Sequence, residues 1–317
     1  MTTLHFRNDG TFKIVQFTDL HWQNGEPEDL RTAELMHNIV NTEQPDLIVF
    51  TGDVIYSPNC ADPSVAYQSV ARIVEEFKIP WATILGNHDA EKNCTKSELI
   101  ALQQAYPHCL TVPGTKLGDR VGNYTLTVHS HAAYKPSAVL YLLDSGDNGT
   151  IPYVGGYAWV TSEQIAWYKA CSQQIRMNNS GNPVFSLAFL HIPLPEFKIV
   201  WAENICYGFR FEEVCSPKIN SGLFSAFVEM GDVKGVFVGH DHINDYWGEL
   251  YGIRLCYGRA TGYNTYGQVG FPRGARVIQL QEGSDTFSSW LILEDGKTIV
   301  EQTEHHPEAV STEKKSK

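Results

Sequence analysis

Five apolar runs in this chain each empty directly into side chains of the kind that bind metals. FKIVQF leads into Asp19 and His21, and LIVFTG leads into Asp53. WATILG leads into Asn87, His88 and Asp89, LAFL into His191, and VFVG into His240 and His242. Carboxylates and imidazoles are costly inside an apolar core unless they are paired, so all five ends must lie where a strand leaves the core. In open α/β sheets ligands bind beyond the carboxyl ends of the strands. One edge must therefore collect the five ends.

The segments between them fit that geometry. EDLRTAELMHNIVNTEQ (28–44) places Leu30, Ala33, Met36, Ile39 and Val40 close to helical spacing, and Pro45 ends it. SVAYQSVARIVEEFK (64–78) reads as a second helix. Strand–helix–strand alternation predicts parallel pairing with helices covering the sheet. After residue 105, NYTLTVH (123–129) and AVLYLLD (138–144) follow without a helix between them. Helices are expected over 162–177 and 219–231, with strands over 183–191 and 234–240. YGIRLCYG (251–258), ARVIQLQ (275–281) and WLILE (290–294) read as consecutive antiparallel strands. The expectation is an α/β fold over residues 1–304 as a single domain, with a large mixed sheet or two sheets face to face, and residues 305–317 as a mobile tail.

Composition narrows the function. The formal net charge is −12, which argues against nucleic-acid binding, because that depends on Lys and Arg neutralising phosphates. A phosphate-handling site on such a chain needs local positive charge, and metal ions are one source. The donors at the strand ends are imidazole, carboxylate and amide, with no thiolate, which suits Fe, Mn or Zn rather than a structural zinc finger. The seven cysteines include no C-x-x-C pair and read as free thiols. No apolar run is long enough for a membrane span or a secretory core, so a cytoplasmic protein without membrane association is the default expectation, secreted or lumenal if a leader was removed. Sequons at Asn93, Asn123, Asn148 and Asn178 matter only in the latter case.

Singly, most of these elements would pass as turns. An accidental GNHD in a chain this long is on the order of one in a thousand from typical residue frequencies, and its ordered occurrence with the others decides against that reading. The set DLH (19–21), GD (52–53), GNHD (86–89), His191 and GHDH (239–242) resembles the motif series of the calcineurin-like metallophosphoesterases. The likeness extends over about residues 12 to 262. HIPLPEF (191–197) and GHDHINDYW (239–247) are similar to the branch near purple acid phosphatases and yeast Dcr-type phosphatases.

The resemblance implies two mixed β-sheets packed face to face and flanked by helices, a four-layer sandwich, and two metal ions per chain. Asp19, His21 and His242 would hold one ion, Asn87, His191 and His240 the other, and Asp53 would bridge them. It further implies hydrolysis of a phosphate ester by metal-activated hydroxide. His88 is then the candidate to protonate the leaving oxygen or to stabilise the phosphate, and Asp89 the candidate to orient its imidazole. GDVIY (52–56) matches a spacing at which purple acid phosphatases use an iron-binding tyrosine. Those enzymes have glycine where this chain has His21, so Tyr56 is expected to pack against the ligands, with iron binding as the alternative. Arg210, Arg259 and Lys218 are candidate phosphate contacts, although a surface salt bridge is the commoner fate of such side chains, and the aromatic stretch 246–267 reads equally as a pocket wall or as core. The expected substrate is a phosphorylated small molecule or phosphopeptide, cleaved as a monoester. A phosphodiesterase and a non-catalytic scaffold of the same fold are the alternatives.

Overall fold

The structure is a computed structural model and describes residues 3–307. In chain order its strands and helices are β1 (Leu4–His5), β2 (Thr11–Phe17), α1 (Pro27–Glu43), β3 (Leu47–Thr51), α2 (Pro63–Glu76), β4 (Trp81–Ile84), α3 (Lys96–Gln103), β5 (Tyr124–His129), β6 (Pro136–Leu142), α4 (Ser162–Asn178) and β7 (Ser186–Phe189). They continue with α5 (Glu196–Glu203), β8 (Cys206–Tyr207), α6 (Leu223–Met230), β9 (Val233–Val238), β10 (Trp247–Leu250), β11 (Ile253–Tyr257), β12 (Gly274–Gln281), β13 (Phe287–Leu293), β14 (Thr298–Ile299) and β15 (Glu304–His305).

Two sheets form. One has the order β14-β13-β12-β2-β3-β4, and the other β1-β5-β6-β7-β9-β11-β10-β8-β15. The strand sequences dictate a face-to-face arrangement, because side chains alternate with a period of two. In β2 and β3, Phe12, Ile14, Leu47 and Val49 point toward the other sheet and meet Leu140, Leu187, Phe189 and Phe237 there. Their neighbours Val15, Phe17, Ile48 and Phe50 point outward beneath α1 and α2. On the far side, Val139, Tyr141, Ala188, Val236 and Val238 lie beneath α4 and α6, against Tyr168, Phe224 and Phe227. Strands buried on both faces need nearly continuous apolar sequence, which is what these strands have. The result is the four-layer α/β sandwich, with both faces of each sheet covered.

The sequence expectations differ from the structure at several places. The helices α3 and α5 and the strand β10 do not stand out in the apolar pattern. At eight residues each, α3 and α5 are too short to display a clear period. The stretches 251–258, 275–281 and 290–294 are not one antiparallel series. β11 pairs parallel to β9 in the larger sheet, whereas β12 pairs antiparallel to β2 and β13 in the smaller one. Residues 258–273 make the change of sheet and cross the carboxyl edge on the way. His305, expected in a mobile tail, instead pairs with Cys206 and stacks on Trp201 with ring centroids 3.7 Å apart. The rest of the expected tail from residue 308 lies outside the described residues. All seven cysteines are unpaired. No helix among the described residues is long and apolar enough to cross a membrane.

A buried polar knot ties the two sheets together beside that edge. Arg276 of β12 is fully buried and donates from Nη2 to the carbonyl of Asp245 and from Nε to the carbonyl of Tyr257. The carboxylate of Asp245 holds Arg259 at 2.5 Å and accepts the Phe209 N–H at 2.7 Å. Removing one member of such a pair leaves the other charge buried and unpaired. Asp245→Ala is therefore expected to destabilise the chain by about 3–5 kcal/mol, read as a lower denaturant midpoint with an unchanged slope.

Candidate metal centre

The five strands carrying the motifs sit together. β2, β3 and β4 are parallel neighbours in one sheet, and β7 and β9 are parallel neighbours in the other. All five point their carboxyl ends the same way, so the loops after them meet over the junction between the sheets. Gln16 marks that junction, donating at 3.1 Å to the carbonyl of Val238 across it.

Two clusters of donors result. Asp19, His21, Asp53 and His242 form one, and Asp53, His191 and His240 the other, with the ligand atoms of each cluster within 4.8 Å of one another. All are buried. Asp53 belongs to both. Its Oδ2 lies 3.1 Å from His191 Nε2 and 3.6 Å from His21 Nε2, while its Oδ1 accepts the backbone N–H of His88 at 2.9 Å. The structure thus brings together the six residues expected from the motifs, with Asp53 central. Asn87, the seventh, is also buried beyond β4.

Donor chemistry provides a test of whether metals fit. Asp53 Oδ2, Asn87 Oδ1 and His240 Nε2 are buried and have no hydrogen-bond partner. An unsatisfied buried acceptor costs about 1–3 kcal/mol, so several in one place require an explanation. His21 Nε2 and His242 Nε2 face each other at 3.2 Å. Two imidazole nitrogens at that distance accommodate one proton at most, whereas a shared cation satisfies both. The outer nitrogens are already used: His191 Nδ1 donates to the Thr51 carbonyl at 2.7 Å, and His242 Nδ1 meets Thr265 Oγ1 at 2.7 Å. Contacts of that type leave Nε2 as the ligand atom. The residues fit two cations.

The electrostatics agree. Burial works against ionisation of Asp19, yet His242 beside it holds its carboxyl down to about 2. Burial lowers His21 and His240 to about 3 each, so both are neutral, the form that binds metal. Burial also opposes charge on His191, but Asp53 and Asp19 overcome it and raise the imidazole to about 9. That proton stands where positive charge is demanded, and metal binding would displace it.

The backbone is bent to make this possible. Asp19, His21, Asp53 and His240 all have positive φ, between 49° and 76°. Side chains other than glycine rarely adopt this region, and each instance costs on the order of 1–3 kcal/mol, a strain that clusters at functional sites. Close approach also demands glycine. A Cβ on Gly86 would lie 2.2 Å from Asp53 Oδ1, and one on Gly239 1.9 Å from Thr18 Oγ1.

Several expectations about the surroundings need correction. Asp89 does not orient His88. Its fully buried carboxylate accepts the N–H groups of Asp53, Ile55 and Gly86 at 2.7–2.9 Å, and so fastens the loops after β3 and β4 to each other. The imidazole of His88 instead meets Glu91, with Nδ1 2.6 Å from Oε2. Arg259 is not a phosphate contact. It is buried, bound to Asp245, and donates to the Pro272 carbonyl at 2.7 Å. Arg210 pairs with Glu213 at 2.6 Å, and Lys218 donates to the Val154 carbonyl at 2.9 Å. Each cation is spent on a local partner.

Tyr56 packs its ring at 5.0 Å from that of His88 and 5.7 Å from that of His21. Within the aromatic stretch, Tyr246 and Tyr257 are core, but Tyr266 stacks on His242 at 4.2 Å. Thr265, Tyr266, Glu91 and Tyr157, the last at 4.4 Å from His240, are the neighbours that the motifs did not reveal. Only the position of Thr265 and Tyr266 in the flagged stretch hinted at them.

Comparison with known proteins places this arrangement. The family model for calcineurin-like phosphoesterases matches residues 12–244. An Arabidopsis thaliana protein named "Probable inactive purple acid phosphatase 29" is 35% identical over 98% of this chain and 87% of its own length. "Phosphatase DCR2" of Saccharomyces cerevisiae is 31% identical over 89% of this chain and 54% of its own. Among solved structures, a dimetal phosphatase from Danio rerio has the same fold, with a TM-score of 0.56 at 13% identity over 88% of this chain and 98% of the other. A family model matched over residues 12–244 and a relative 35% identical over 98% of this chain make the chain a member of the calcineurin-like phosphoesterase family.

Proposed function

We propose that the chain is a phosphatase that uses two metal ions to hydrolyse phosphate monoesters of small molecules or phosphopeptides. The observation that carries this reading is the position of Asp53, whose Oδ2 lies within reach of both imidazole sets and has no other protein partner. Asp19, His21 and His242 would hold one ion and Asn87, His191 and His240 the other, with Asp53 shared. Two cations so held would supply the positive charge that binds phosphate oxygens, offsets charge in the transition state and lowers the pKa of water.

The chain's own residues supply the rest. Asp89 keeps Asp53 in place through its backbone N–H, so the separation of the two clusters does not drift. Thr51 and Thr265 set the ring orientations of His191 and His242. His88 stands beside both clusters without belonging to either, its ring centroid 5.4 Å from that of His21. It holds the proton that the leaving oxygen takes as the ester bond breaks. The word "inactive" in the names of three plant relatives describes those proteins. This chain keeps every donor that the reaction asks for.

Metal analysis followed by assays on p-nitrophenyl phosphate and bis-p-nitrophenyl phosphate, with Mn, Zn or Fe supplied, tests the reading. About two ions per chain and preferential monoester turnover are expected. Preferential diester turnover would move the assignment to a phosphodiesterase, and metal binding without turnover would leave a scaffold. His88→Ala is expected to keep both ions and to lose turnover of an alkyl phosphate such as β-glycerophosphate by about 10²-fold or more, with a much smaller loss on p-nitrophenyl phosphate. Tyr56→Phe in iron-loaded protein is expected to leave the visible absorption spectrum unchanged. A band lost on that substitution would make Tyr56 a ligand.

A further inference from the structure

We infer that Glu91, held in place by Ser57, is the positioning residue for His88, the role that sequence reasoning assigned to Asp89. This rests on the phosphatase reading above, because it concerns the proton donor of that reaction.

The contact is short and specific. Glu91 Oε2 lies 2.6 Å from His88 Nδ1, three residues earlier in the chain. Residues at i and i+3 meet only if the backbone between them turns back, and Ser57 enforces the turn. Its fully buried hydroxyl donates to the His88 carbonyl at 2.7 Å and accepts the N–H groups of Glu91 and Lys92 at 3.0 and 3.1 Å. The Ser57 N–H also donates to the His88 carbonyl, at 3.1 Å. The loop after β3, which carries Asp53, Tyr56 and Ser57, thereby grips the loop after β4, which carries Asn87, His88 and Glu91.

The remaining contacts of His88 leave little freedom. Its backbone N–H is taken by Asp53 Oδ1, and its ring is flanked by those of Tyr56 and His21. A carboxylate can only accept, so Nδ1 carries its hydrogen toward Glu91, and Nε2 is the nitrogen left to meet an ester. When the P–O bond to the leaving group breaks, the electron pair stays on the leaving oxygen, which takes the proton from Nε2. The Nδ1 hydrogen stays on the ring, and water later returns a proton to Nε2. Asp89 does not serve in this way, because its carboxylate is turned to three backbone N–H groups while His88 Nδ1 meets Glu91.

The test uses the full chain and two independent readouts. The first is ¹⁵N and ¹H NMR of histidine-labelled protein, with the His88 signals identified by their loss in His88→Asn. A low-field Nδ1 proton is expected in the wild type and is expected to vanish in Glu91→Ala. The second readout is kcat and KM of the Mn-loaded protein on β-glycerophosphate, whose leaving alcohol needs a proton, and on p-nitrophenyl phosphate, whose leaving phenolate does not. Glu91→Ala is expected to lower kcat for β-glycerophosphate by about 10–100-fold with little change in KM, and kcat for p-nitrophenyl phosphate by less than about threefold. Glu91→Gln keeps an acceptor oxygen and is expected to recover most of the loss. Equal losses on both esters with metal content intact, or an Nδ1 proton that survives Glu91→Ala, would overturn the assignment. Should the metal-loaded wild type cleave neither ester, the phosphatase reading falls, and the NMR signal alone decides the place of Glu91.

Discussion

One carboxylate organises this protein. Asp53 follows the buried strand β3, and its side chain reaches toward imidazoles contributed by both sheets, His21 on one side and His191 on the other. A charged group this deeply buried is tolerable only with opposite charge and hydrogen bonds around it. The supporting features follow from that demand: the N–H of His88 on Oδ1, the proton that Asp53 holds on His191, and the anchoring of its own backbone by Asp89. The sandwich serves to bring two parallel strand sets to a common edge, where such a group can be surrounded.

The cost appears in the backbone. Four residues of the metal set adopt left-handed φ, and the glycines before Asp53, Asn87 and His240 leave no room for a side chain. Strain of this kind persists only where packing determines the loop from several sides. The loop after β2 is held by the Gly52 carbonyl, by Asp53 and by the Thr18 and Asp19 contacts of residues 261 and 262. The connection that carries residues 258–273 from one sheet to the other therefore closes the site from above as it crosses.

Much of this was legible beforehand because the motifs are local. Asp19, His21, Asp53, Asn87, His191, His240 and His242 each follow an apolar run by a fixed few residues, and a strand that leaves its core can deliver such groups only at its end. The helices α1, α2 and α4 were legible through their long apolar period. What stayed hidden depended on side-chain direction. Asp89 and Glu91 are both carboxylates close to His88 in sequence, and no spacing rule says which turns toward the imidazole. Arg259 read as a candidate phosphate contact, yet the Asp245 carboxylate draws it into the interior. The strand β11 read as a partner for β12, since pairing between consecutive strands is the ordinary expectation and only packing assigns them to different sheets.

The amino-acid order by itself determined which residues end at the carboxyl edge, and hence the family, the buried donors gathered there and the α/β class. It did so because strand periodicity and the cost of burying polar groups act within a few residues. The tertiary structure alone decided how the groups around that set divide their tasks. Asp89 became a backbone clamp, Glu91 the partner of His88, Thr51 and Thr265 the props of two imidazoles, and Arg259 a buried counter-charge. Those choices turn on distances of a few ångströms between segments far apart in the chain, and such distances exist only once the two sheets have packed.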